Sequence, residues 1–116
     1  MKDLEDVFIL PESTADSKPS WFGFMLTVRD TCRFTREEIV RYLESNKIQT
    51  RMLFAGNYTR QPVFDKMRRQ KNGCRIVGNL ANTDRIMNNS FWLGVYPGMT
   101  KPMLEFMIEK IKTFPR

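Results

Sequence analysis

The chain has 116 residues, 41% of them hydrophobic and 28% charged, with a net charge of +6 and an isoelectric point near 9.6. That is one ordinary globular domain: no run approaches the roughly 18 apolar residues of a membrane span, and the opening MKDLED lacks the apolar stretch of a signal peptide. Having no histidine, the chain lacks the commonest acid–base and metal-binding side chain.

Residues 1 to 20 hold one apolar knot, Val7-Phe8-Ile9-Leu10, followed by a Pro- and Ser-rich stretch that cannot pack a core; the pattern predicts a short strand and then a linker. The run 21-WFGFMLTV-28 is almost continuously apolar and predicts a central strand covered on both faces. Its FGF faintly resembles an RNA-recognition strand, but that motif wants a Lys or Arg and a Gly directly before the aromatic pair, and here Ser20 and Trp21 precede it.

Thr35 followed three residues later by Glu38 is a capping box, and Phe34 can staple onto Ile39, so a helix is expected from this point. Ile39, Leu43 and Val40 form its inner stripe, and Asn46 stops it. Residues 48–54 are expected as a strand broken at Ala55-Gly56-Asn57, with Gln61-Pro62 starting a short helix through Phe64, Met67 and Arg68. The basic cluster 66-KMRRQK-71 reads as a solvated helix end before the Asn72-Gly73 turn. A helix over 80–89 with Leu80, Ile86 and Met87 inward, a last strand at 91-FWLGV-95, and a helix capped by Thr100 complete the chain. In that final helix the methionine-rich stripe Leu104, Met107, Ile108 and Ile111 is expected to be core. The fold class is α+β: a small, mostly antiparallel sheet backed by helices. Cys32 and Cys74 are too few for a disulfide framework and fit reduced thiols in the cytoplasm.

The segments 35-TREEIVRYLESNKIQTR-51, 61-QPVF-64 and 84-DRIMNNSFWLGVYPGMT-100 carry a resemblance that covers most of the chain, from about residue 21 to the end. In order and spacing they resemble the C-terminal small domain of the DegT/DnrJ/EryC1/StrS sugar aminotransferase family, in which a strand ending in Thr-Arg leads into a loop with a Gln-Pro pair and a later strand closes on Tyr-Pro-Gly. SWFGF and RMLFAGN are similar to the wording of its CDP-4-keto-6-deoxyglucose 3-dehydratases of lipopolysaccharide O-antigen synthesis.

The resemblance implies a fold-type-I enzyme using pyridoxal or pyridoxamine phosphate (PLP or PMP), of which this is a C-terminal piece. Residues 1–20 would be interdomain connection and linker, and 21–116 the small domain. The missing N-terminal domain would hold the cofactor and, in the dehydratases, a [2Fe-2S] cluster; the piece alone would bind neither. The implied partners are that domain, a sugar nucleotide and a second copy in a homodimer, with no nucleic acid and no membrane.

The same resemblance makes the break after the 48–54 strand a loop that closes over the substrate, with Arg51, Phe54, Gly56, Asn57 and Arg60 as substrate-binding residues. Gly56 would permit an unusual backbone angle, and Arg51 and Asn57 would offer hydrogen bonds to hydroxyls or phosphate. Against this stands a plainer reading, in which Arg51 is an interdomain salt-bridge residue, Gly56-Asn57 a turn, and Arg60 and Arg85 solvated. Aminotransferases of the family read T-R-x-H-Y-x-x-P-L-H-x-Q-P here; this chain places Leu53 and Thr59 at the two histidine positions, which favours a dehydratase. An aminotransferase small domain, or an independent basic α+β module binding RNA or an anionic ligand, are the alternatives.

Overall fold

The computed structural model describes residues 1–115, with Lys2 described by its backbone alone. Four strands, β1 (Phe8–Ile9), β2 (Gly23–Val28), β3 (Thr50–Met52) and β4 (Ser90–Gly94), form one antiparallel sheet in the order β1-β2-β4-β3. Four α-helices, α1 (Arg36–Ser45), α2 (Asp65–Arg69), α3 (Ala81–Asn89) and α4 (Lys101–Thr113), complete the α+β fold.

The register sorts the side chains by face. Phe8 opposes Val28, Leu26 opposes Phe91, and Phe24 opposes Leu93; with Ile39 and Leu43 from α1 and Ile111 from α4 these make the core. On the opposite face Met25, Trp92 and Arg51 stand in one row across β2, β4 and β3, and Gly23 faces Gly94 in the next. Buried Thr27 and Ser90 share that outer face and join hydroxyls at 2.8 Å, so neither polar group is left unpaired under cover.

The capping box forms as the spacing predicts. Glu38 N–H donates to Thr35 Oγ1 at 3.3 Å, and Thr35 N–H donates to Glu38 Oε2 at 2.7 Å. The bond from Thr35 N–H and, after it, one from the Thr35 hydroxyl to the same Oε2 at 2.9 Å hold the Glu38 carboxyl below its usual pKa. Phe34 packs against the core and lies edge-on to both Phe8 and Phe114.

Four details differ from expectation. The core begins upstream of residue 21: Leu4, Val7 and Phe8 are all buried in it, because β1 pairs with β2 and sets Phe8 opposite Val28 and against Phe34 and Phe91. The third strand is only Thr50–Met52, because Phe54 N–H turns back to Met52 O at 2.9 Å and Phe54 takes a positive φ of 47°. On α3, Ile86 is exposed while Met87 faces inward. On α4 only Ile111 of the predicted stripe is fully buried; Met107 and Ile108 are half-buried and Leu104 is exposed, as is Met103 beside them.

Candidate functional site

The loop between β3 and α2 is built from its neighbours outward. Glu44, near the end of α1, accepts from Thr50 N–H at 2.7 Å and Thr50 Oγ1 at 2.8 Å, which pins the start of β3. Those two bonds, the backbone one first, lower the Glu44 pKa. Fixing Thr50 fixes Arg51, whose side chain then stands beside Trp92 on the outer sheet face. Its guanidinium makes no hydrogen bond or ion pair among the described residues.

Beyond β3 the loop is strapped to α3. Gly56 has φ of +63°, and a Cβ there would lie 2.3 Å from Met87 Cγ, so both the backbone angle and the space require glycine. Asn57 is 2% exposed; its backbone N–H points at Met87 Sδ at 3.2 Å, its Nδ2 donates to Asp84 Oδ1 at 2.7 Å, and its Oδ1 accepts from Thr59 N–H and Oγ1. From the other side Arg60 forks onto Asp84, Nη2 to Oδ2 at 2.7 Å. The pair shifts both partners in the expected directions: Arg60 and then Asn57 lower the Asp84 pKa, and Asp84 raises that of Arg60. Gln61 Nε2 closes the loop by donating to Ala55 O at 2.7 Å, and Pro62 opens the next turn, where its missing N–H costs nothing.

The five residues named from sequence thus separate into two kinds. Arg51 and Phe54 point outward, whereas Gly56, Asn57 and Arg60 hold the loop together. The Asn57 amide is bonded inside the chain at both its nitrogen and its oxygen. Asp84 and Met87, which organise the loop, were missed by sequence reading; the i, i+3 spacing of DRIM on one helix face was the available signal.

Phe22, missed from sequence, completes the outer face. Phe22 and Phe54, each 81% exposed, lie edge-on to Trp92 at centroid distances of 5.2 and 5.3 Å. The Trp92 indole Nε1 is buried without a hydrogen-bond partner among the described residues. These rings, with Arg51 and Met52, line an open cleft of about 490 Å³. Phe54 also borders a second hollow of about 380 Å³ with Tyr58, Thr83 and Ile86. Among the described residues no group of three His, Cys, Asp or Glu side chains could hold a metal, and no helix is long and apolar enough to cross a membrane.

The chain is 49% identical over 105 residues to the lipopolysaccharide biosynthesis protein RfbH of Salmonella typhimurium, covering 90% of this chain and 23% of that protein. It is 44% identical over 106 residues to the dTDP-4-dehydro-2,6-dideoxy-D-glucose 3-dehydratase of Saccharopolyspora spinosa, covering 91% of this chain and 22% of that one. It therefore spans less than a quarter of the length of these curated relatives. The fold matches the E. coli GDP-4-keto-6-deoxy-D-mannose-3-dehydratase with bound hydrated PLP, with a TM-score of 0.76 over 94% of this chain and 27% of that one at 19% identity. A model of one family matches residues 1–112, and the chain belongs to that family, the DegT/DnrJ/EryC1/StrS aminotransferase family.

Proposed function

We propose that this chain is the C-terminal part of a PLP/PMP-dependent sugar-nucleotide 3-dehydratase that makes 3,6-dideoxyhexose precursors for lipopolysaccharide O-antigen. The observation that carries the reading is near-half identity to the lipopolysaccharide protein and to the 3-dehydratase across nine-tenths of the chain. Arg51 and Phe54 meet the sugar nucleotide, and Gly56, Asn57 and Arg60 hold the loop that presents them. Residues 50–62 contain no His, Cys, Asp, Glu or Lys. The loop therefore positions and covers substrate without moving a proton, which suits an elimination whose base is held elsewhere.

The cofactor does not fit the residues present. Every lysine whose side chain is described is exposed or half-buried, Lys112 is paired with Asp3, and Lys110 lies over the Phe106 ring. None has the desolvated setting that a Schiff-base lysine needs. We assign cofactor binding, and any iron–sulfur cluster, to a preceding domain, with the assembled enzyme a cytoplasmic homodimer. Free Cys32 and Cys74 suit that reducing compartment.

The test is a chimera in which this chain replaces the matching C-terminal segment of the Saccharopolyspora spinosa dehydratase. Mass spectrometry of the sugar nucleotide should show loss of the 3-hydroxyl. Amino transfer from glutamate at a rate matching dehydration would favour the aminotransferase alternative, and a folded chimera without turnover would overturn the reading.

A further inference from the structure

We propose that residues 74–78 of one chain add a strand to the open edge of β1 in a second copy. The contact uses surfaces of this chain alone and stands apart from the sugar-nucleotide reading above.

The donor lies on the excursion 62–80, between the candidate loop and α3. None of these residues is buried, and Val63, Met67, Ile76 and Val77 are all exposed. Residues 74–77 belong to no helix, turn or strand, and among the described residues no backbone group of 74–78 makes a hydrogen bond. Unpaired N–H and C=O groups beside two β-branched side chains are what a sheet edge accepts as a further strand. The excursion is also basic, with five cationic side chains against the single carboxylate of Asp65. Arg68 ties its base to Thr59 O, Gln61 O and Asp65, whereas Lys66, Arg69, Lys71 and Arg75 stay exposed without an ion pair among the described residues.

The sheet has two open edges, β1 and β3, and charge chooses between them. Residues 3–17 hold five carboxylates and no Lys or Arg, whereas β3 is flanked by Lys47 and Arg51. Glu5, Glu12 and Asp16 are exposed and make no ion pair among the described residues. Ile9, 38% exposed on β1 itself, gives Ile76 or Val77 an apolar neighbour between those charges. The excursion leaves from the β3 side, and the order β1-β2-β4-β3 puts the acidic edge on the far side of the sheet. A second copy related by a two-fold axis brings each basic segment to the other's acidic edge, so that both contacts form at once. Main-chain bonds then supply affinity, and charge selects the edge.

Sedimentation of the chain should show a dimer that weakens as salt is raised. Ile76→Pro and Val77→Pro remove N–H groups that point in alternate directions, so one of the two should weaken the dimer at least about tenfold. Thermal unfolding should not move, because nothing inside the chain uses either group. Reversing the excursion (Lys66→Glu, Arg69→Glu, Lys71→Glu, Arg75→Glu) should leave monomers, and so should reversing the edge (Glu5→Lys, Glu12→Lys, Asp16→Lys). An equimolar mixture of the two reversed chains should dimerise again, since opposite charges then meet at both contacts.

A chain that stays monomeric at high concentration, reversed chains that still dimerise alone, or a mixture that stays monomeric would overturn the proposal. So would a dimer lost on nuclease treatment, which would make the excursion a polyanion site. A monomer that binds the preceding domain of the Saccharopolyspora spinosa dehydratase through residues 62–80 would overturn it in favour of that domain. An active dehydratase chimera beside a monomeric chain would overturn this contact alone. Charge-swapped dimers beside an inactive chimera would support the contact and remove the dehydratase.

Discussion

Asn57 and Asp84, 27 residues apart, are joined by a 2.7 Å hydrogen bond from the Asn57 amide to the Asp84 carboxylate, and Arg60 grips the same carboxylate. The acceptor holds the buried amide more strongly while it is charged. Because Arg60 and then Asn57 depress the folded-state pKa of Asp84, its contribution is present above the unfolded value near 4 and is lost as pH falls through the folded one. Asp3, lowered to about 2 chiefly by its hydrogen bond with Lys112, acts with the same sign. Urea unfolding at stepped pH should therefore show stability falling below about pH 4, and the fall should be shallower in Asp84→Asn. Asn57→Ala, at a buried site, should cost about 1–3 kcal/mol at neutral pH.

Gly56→Ala meets two separate obstacles, a positive φ and the Met87 side chain. The variant should lose more than the roughly 1 kcal/mol of the backbone term alone. Adding Met87→Ala should recover the steric part and leave the backbone part. A double-mutant cycle from thermal unfolding measures the recovery, and strict additivity would show that Met87 does not press on the loop.

Phe8 is 1% exposed and touches Phe34 and Phe91 edge-on. Phe8→Ala should cost about 3–5 kcal/mol, and removing residues 1–10 should unfold the chain by circular dichroism. A truncated chain with native stability would mean that those residues are only a connection.

Mixed with PLP, the isolated chain should give no stoichiometric aldimine band. Its exposed Phe22, Phe54 and Val63 should instead promote association with rising concentration. Absorbance scans and light scattering read the two outcomes, and a saturable band abolished by changing one lysine would contradict the first.

What was legible in the sequence was whatever depended on neighbours along the chain. Thr35 and Glu38 announced α1 because their reciprocal bonds span three residues, and Gln61-Pro62 announced a helical turn because proline tolerates its first position. The sheet order was beyond that reach, since β3 pairs with β4 across some forty residues of sequence. Asn57 stood out at the strand break, but the direction of its side chain was set by Asp84 on a helix that no local pattern connects to it. Phe22 looked like core because apolar runs carry no sign of which face a helix will cover. The α4 stripe was overread for the same reason: spacing located its inner side without showing how much of the helix would be covered.

The ion pair between Asp3 and Lys112, 2.6 Å apart, ties the first turn of the chain to the last turns of α4. The two ends are therefore neighbours in space, and a short peptide could join them without disturbing the sheet. The stretch from Glu12 to Ser20 is exposed throughout and carries none of the core, so new ends opened there would break few contacts. A circular permutant beginning near Ser20 and running through such a joint to Pro11 should keep the same hydrogen-bond ladder. It would carry β1 as its last strand, so that any partner fused to the permutant would leave from the opposite end of β1.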